Sequence, residues 1–183
     1  MRRLPAYLCL LVLFAACQKV YFDRGETDED IPENLIFTGT GLGTPEAPFT
    51  VDDILNGNMM GEADECWVIG YVVGATYSAM KNALFKPKTF YDTNILLSTD
   101  SVCDDPSLCI PIELTTKAMK EDFSLAANPE RFRKCLLIKG WPALYFKVNG
   151  LRRVSAGYWL GDFDIKSIIN EPEEWKLDTI PMR

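Results

Sequence analysis

The chain has 183 residues, with nineteen Lys/Arg, twenty-six Asp/Glu and no histidine, for a formal charge of −7. A hydrophobic content of 48% is enough for one packed core. The acidic balance argues against a nucleic-acid partner, because that affinity comes largely from Lys and Arg displacing condensed counterions. Without histidine, the usual general base and a common zinc ligand are both missing.

Residues 1–16 have the order of an export signal. Arg2 and Arg3 are followed by an apolar run from Leu8 to Phe14, then by small residues before Cys17. The run is too short for a membrane-spanning helix, which needs about 20 residues. Phe14-Ala15-Ala16-Cys17 resembles the lipobox of bacterial lipoproteins, with Phe14 in place of the commoner Leu. The resemblance implies cleavage before Cys17, a diacylglycerol on its thiol, and acylation of the new amino group by a fatty chain such as palmitate. Cys17 is then the lipidation site of a cell-envelope, outer-membrane lipoprotein, on the periplasmic or the outer face. An ordinary secretory signal cut at the same Ala-Ala pair is the alternative. Cleavage leaves seventeen basic and twenty-six acidic residues, a charge of −9.

Residues 17–36 read as a flexible acidic tether, because Glu26 to Asp30 is almost wholly acidic and lacks apolar periodicity. Gly39, Gly41 and Gly43 mimic a dinucleotide fingerprint, but Pro45 and Pro48 stand where its helix should begin, so a Gly/Pro turn is expected. Thr50 to Leu55 predicts a short helix with Thr50 as N-cap, acidic residues in its first turn and Gly57 as its stop.

Five β-like stretches follow, at 66–74, 94–99, 109–114, 135–141 and 151–160. Gly70 suggests a bulge or bend in the first, and Pro111 demotes part of the third to an edge or bulge position. Residues 75–91 read as a long polar loop carrying Lys81, Lys86 and Lys88, and residues 117–127 as a helix closed by Asn128-Pro129. Trp175 and Ile180 suggest that a C-terminal extension, 161–183, packs back on the domain.

Three strands, a helix and two strands form the order of an OB fold. The expected class is mainly β: a five-stranded OB-fold-like Greek-key barrel at 37–160, with one helix between strands three and four and a short N-terminal helix. Four cysteines follow Cys17, and exported proteins keep disulfides. Cys103–Cys109 is expected to staple a turn-rich loop, and Cys66–Cys135 to join the first and fourth strands. The spacing does not suit paired Cys-x-x-Cys zinc sites.

The landmarks Gly39-Thr-Gly41, Pro48-Phe-Thr-Val51, Trp67 to Gly74, Asn94 to Leu97, Cys109 to Leu114, Asn128-Pro129, Lys139-Gly140 and Tyr145-Phe146…Gly150-Leu151 together resemble an uncharacterised OB-fold-like domain of Bacteroides-type lipoproteins. The resemblance implies a secreted or lipid-anchored domain with no assigned chemistry.

No catalytic constellation, metal site or cofactor is expected. Asp100, Asp104 and Asp105 lack a calcium-loop pattern, and Asp162 with Asp164 reads as loop decoration rather than a glycosidase pair. Aromatic residues in or beside strands are the better candidates, with Tyr71, Trp141, Tyr145, Phe146 and Arg152 as ligand-binding residues. The expected function is a non-enzymatic, lipid-anchored binding or scaffold module contacting protein or glycan. The alternative is a nucleic-acid-binding OB-fold lipoprotein.

Overall fold

A computed structural model describes residues 36–57 and 64–169. The chain divides into a unit at Met1–Asn34 and a second at Leu35–Arg183, and every described residue belongs to the second. The expected signal, Cys17 and most of the tether therefore lie outside the described residues, as do Trp175 and Ile180.

The architecture is mainly β. Its strands are β1 (Phe49–Thr50), β2 (Cys66–Tyr77), β3 (Ala79–Leu84), β4 (Asn94–Ser98), β5 (Ile110–Glu113), β6 (Cys135–Tyr145) and β7 (Val148–Gly161). Among the described residues three short α-helices accompany them: α1 (Val51–Leu55), α2 (Lys117–Phe123) and α3 (Lys166–Ile169). Pairing runs β1-β2-β4-β5-β7-β6 and returns through β6 to β2, with β3 attached to β2. All pairs are antiparallel except β1–β2 and β5–β7. Among the described residues no helix is long and apolar enough to cross a membrane.

Strand alternation sorts the apolar side chains into two clusters. Val68 and Val72 of β2, Ile95 and Leu97 of β4, Ile110 and Ile112 of β5, and Leu136 and Ile138 of β6 enter the first. Val51 and Ile54 of α1 and Phe123 of α2 join them. Trp67, Ile69, Tyr71 and Val73, Leu96, and Cys135 and Leu137 face the opposite way and form the second cluster. That cluster is closed by Ile165 and Ile168, by Phe163, and by Met80, Ala83 and Phe85 at β3. Both faces of β2 are thus covered, which explains its nearly unbroken apolar run.

The expected helix over Thr50–Leu55 is present with its cap. Thr50 Oγ1 accepts from Asp53 N at 3.2 Å, and Asp53 Oδ2 accepts from Thr50 N at 2.8 Å. Such a reciprocal box contributes about 1 kcal/mol. Gly57 follows with φ 70°, its N–H on Ile54 O. The glycine-rich segment is a turn, with Gly39, Gly41 and Gly43 all at positive φ. The helix expected over 117–127 stops at Phe123, because Ser124 is extended and Asn128 Nδ2 takes the carbonyls of Glu121 and Ser124.

Three expectations need correction. The segment 75–91 is not simply a loop: β2 runs on to Tyr77 and turns at Ser78 (φ 54°) into β3. The turn is tied by Thr76 Oγ1 donating to Ala79 O at 2.6 Å. Gly70 is not a bulge, since it sits in regular register opposite Leu136, and the irregularity lies between Val72 and Gly74. Gly70 makes room for α1 instead, because a Cβ there would stand 2.8 Å from Val51 Cγ2. Nor is Pro111 at an edge or a bulge, for it stands in regular register opposite Leu96, and β5 pairs with β4 on one side and β7 on the other.

Candidate functional site

The expected ligand residues Trp141, Tyr145, Phe146 and Arg152 come together on the β6–β7 hairpin. Trp141 is opposite Arg152 in the ladder, and Tyr145 is opposite Val148. Phe146 and Lys147 make the turn at φ 54° and 68°. Two consecutive positive-φ residues suit Asn-Gly and cost a non-glycine residue about 1 kcal/mol each. The Phe146 ring stacks on Tyr145 at a centroid distance of 4.0 Å. Trp141 is 39% exposed and Leu144 is 61% exposed, so the hairpin offers apolar surface to solvent.

The neighbouring strand ends supply the polar groups. Arg152 Nη2 and Nε donate to the two Glu113 carboxylate oxygens at 2.8 and 3.1 Å, a bidentate pair at the end of β5. The guanidinium lies over the Tyr145 ring at 5.6 Å. The carboxylate raises the Arg152 pKa through that hydrogen bond and its charge. Burial, then the Glu113 charge, raises the Tyr145 phenol pKa. The Asn94 side chain acts the other way and lowers it, and Asn94 stands opposite Glu113 where β4 meets β5. Asn94 is itself buried, accepting from Thr76 N at 2.8 Å and donating to Thr76 O at 2.9 Å. Glu113 and Asn94 escaped the sequence reading. The available signal was one acid closing an apolar strand and one amide opening another.

Tyr71 does not belong to this surface. Its side chain is buried in the second cluster, donating to Phe163 O at 3.1 Å and accepting from Ile165 N at 3.0 Å. It holds the segment before α3 against the sheet.

The four described cysteines are free thiols. Register overturns the Cys66–Cys135 disulfide. In the antiparallel β2–β6 pair Cys66 lies opposite Gly140 and Cys135 opposite Tyr71, and the two side chains enter different clusters. Cys103 and Cys109 do meet, with Sγ atoms 3.8 Å apart, but they remain unbonded thiols that both donate to Asp105 O. Burial pushes Cys66 up to about 11 and Cys135 up to about 12, and raises Cys109 further still. Half-exposed Cys103 is therefore expected to be alkylated by iodoacetamide at least about tenfold faster than the other three at mildly alkaline pH. Peptide mapping checks this, and equal labelling of all four would contradict the burial described.

The acidic candidates serve local structure. Asp105 Oδ1 accepts from Ser107 N at the turn Pro106–Leu108, Asp162 pairs with Lys134, and Asp164 Oδ1 accepts from Lys166 N. Among the described residues no group of three or more Cys, Asp or Glu is placed to hold a metal ion. An open cleft of about 340 Å³ lies beside α2, lined in part by Phe123, Asn128, Arg131 and Trp159. Its groups are already engaged. Trp159 Nε1 donates to Asp122 O at 3.0 Å, and Arg131 covers the indole ring at 5.2 Å.

Sheet and hairpin define a mainly β domain that presents an aromatic, charge-paired surface among its described residues. The family model described as Domain of unknown function (DUF6359) matches residues 49–160, and the chain belongs to that family. The matched span begins at β1 and ends one residue before the end of β7. No curated protein and no solved structure matches the chain.

Proposed function

We propose that the chain is a non-enzymatic, lipid-anchored envelope module that binds a glycan or protein through the β6–β7 hairpin. The observation that carries this reading is the gathering of Trp141, Tyr145, Phe146 and Arg152 on one exposed hairpin whose turn is held in a costly conformation. Strain of that kind concentrates at functional sites. What supports reading the sheet as an OB-fold-like Greek-key barrel is the pairing that returns from β6 to β2, the parallel β5–β7 contact and the position of α2 between β5 and β6. In that barrel, ligands bind the face of strands two and three and the loop between strands four and five. On that reading the equivalents are β4, β5 and the Phe146-Lys147 turn, around the Asn94 and Glu113 pair and the Arg152 guanidinium over Tyr145. The signal-like residues 1–17 support attachment through Cys17.

Trp141→Ala and Tyr145→Ala are each expected to weaken a glycan-array or purified-partner signal by about tenfold. Binding profiles unchanged in both variants would remove the hairpin from the site. Labelled palmitate entering the wild-type chain but not Cys17→Ser checks the anchor separately.

A further inference from the structure

We propose that a second surface, formed by Tyr77, Phe90 and Tyr91 with Lys81, Lys86 and Lys88, binds an acidic polysaccharide carrying one carboxylate per sugar ring. It lies on the β2–β3 turn and the connection into β4, outside the β6–β7 hairpin. In a chain of net charge −7, residues 77–91 hold three lysines and no acidic residue. All three are exposed, and none has an ion-pair partner among the described residues. The nearest following acid, Asp92, is drawn toward Lys120 at 3.6 Å. The acidic remainder of the surface is screened beyond about 8 Å at physiological salt, so a local cationic patch keeps its sign.

The aromatic component is held in place. Tyr77 and Tyr91 stack at 5.3 Å with an interplanar angle of 18°, although Tyr77 is 60% exposed. Asn82 Nδ2 donates to Tyr77 O at 2.7 Å, and Thr89 Oγ1 donates to Tyr91 O at 3.3 Å, fixing both backbones. Phe90 is 87% exposed, more than any other large hydrophobic described. Met80, Ala83 and Phe85 pack inward on the second cluster, so Phe90 is not left out for want of apolar neighbours. Exposed apolar rings framed by charge mark an interaction surface.

Carboxylated sugar fits this chemistry better than nucleic acid. The cations are all lysine, point charges that each meet one anionic group without a fixed fork geometry. A nucleic-acid strand carries a charge about every 3.4 Å, and three spaced amines answer only a few of those. The two tyrosines already lie against each other, so no gap is open for a base to enter between them. Tyr77, on the exposed side of the stack, keeps surface on which the C–H side of a sugar ring can lie.

Polygalacturonate is the probe, with its methyl ester as the neutral control. The wild-type chain is expected to bind the free acid, to bind it about fivefold to twentyfold more weakly on going from about 50 to about 200 mM salt, and to ignore the ester. Lys81→Gln/Lys86→Gln/Lys88→Gln is expected to lose at least about tenfold in affinity, and Tyr77→Ala about fivefold. The substituted side chains are exposed, so unchanged melting temperatures certify the fold. Trp141→Ala is expected to bind polygalacturonate normally, which separates this surface from the hairpin. The proposal is overturned if polygalacturonate does not bind, if the ester binds equally, if the lysine variant binds as wild type, or if a single-stranded oligonucleotide binds more tightly than the polyuronate.

Discussion

Gly150→Ala is expected to destabilise the domain by about 3 kcal/mol and lower its melting temperature by about 10 °C. A Cβ at that position would stand 2.3 Å from Pro111 O and 3.0 Å from two atoms of the Pro111 ring. The carbonyl is main chain and cannot rotate away. Relief requires β5 and β7 to separate where Ile112 faces Leu151, both of them fully buried. Gly161→Ala provides the comparison. Gly161 has φ 66° but nothing within 4 Å of an added Cβ, so that change should cost only about 1 kcal/mol. Equal losses in the two variants would contradict the close approach of strands at Gly150, whose φ lies outside the left-handed region.

Asn94→Ala is expected to cost about as much, for a different reason. The Asn94 side chain satisfies both the N–H and the C=O of Thr76, and both residues are buried. Truncation leaves two buried backbone groups without their partner, at about 1–3 kcal/mol each. Asn94→Asp sharpens the test. The carboxylate can still accept from Thr76 N, but it points its second oxygen at Thr76 O, where a donor is required. Burial and that carbonyl hold the introduced carboxyl's pKa above its unfolded value. The native state then binds more protons, so the variant gains stability as pH falls through that raised pKa. Denaturant midpoints measured across the acid range read this directly. A variant equally stable at all pH values would mean that water reaches the site.

Much of the sheet was legible because its strands carry long apolar runs between turn residues. Cys66 to Gly74, Asn94 to Thr99, Cys109 to Leu114 and Cys135 to Trp141 each coincide with a strand, to within a few residues. The short helix was legible from one cap, since Thr50 and Asp53 are three residues apart. β3 was not, because Ala79-Met-Lys-Asn-Ala-Leu84 has neither strict alternation nor strong β-formers. Its pairing with β2 comes from the turn at Ser78. Trp141, Tyr145 and Phe146 stand out as aromatic residues in or beside strands; Tyr71 looks equivalent in sequence and differs by facing Ile165. Sequence alone does not reveal which way a residue points on a strand buried on both sides. The same ambiguity misled the pairing of Cys66 with Cys135, where neighbouring strands were expected correctly but direction and facing were not.

Strand β2 also bears on how the molecule comes apart. It contributes to both apolar clusters at once, and it holds β1, β3, β4 and β6 along its length. Neither cluster can melt alone without stripping the other's central ladder, so heat or denaturant should produce a single concerted transition. The partner on β6 lies some seventy residues further along the chain. Closing that span precedes most of the stabilising burial, which places the domain among slow folders of high contact order.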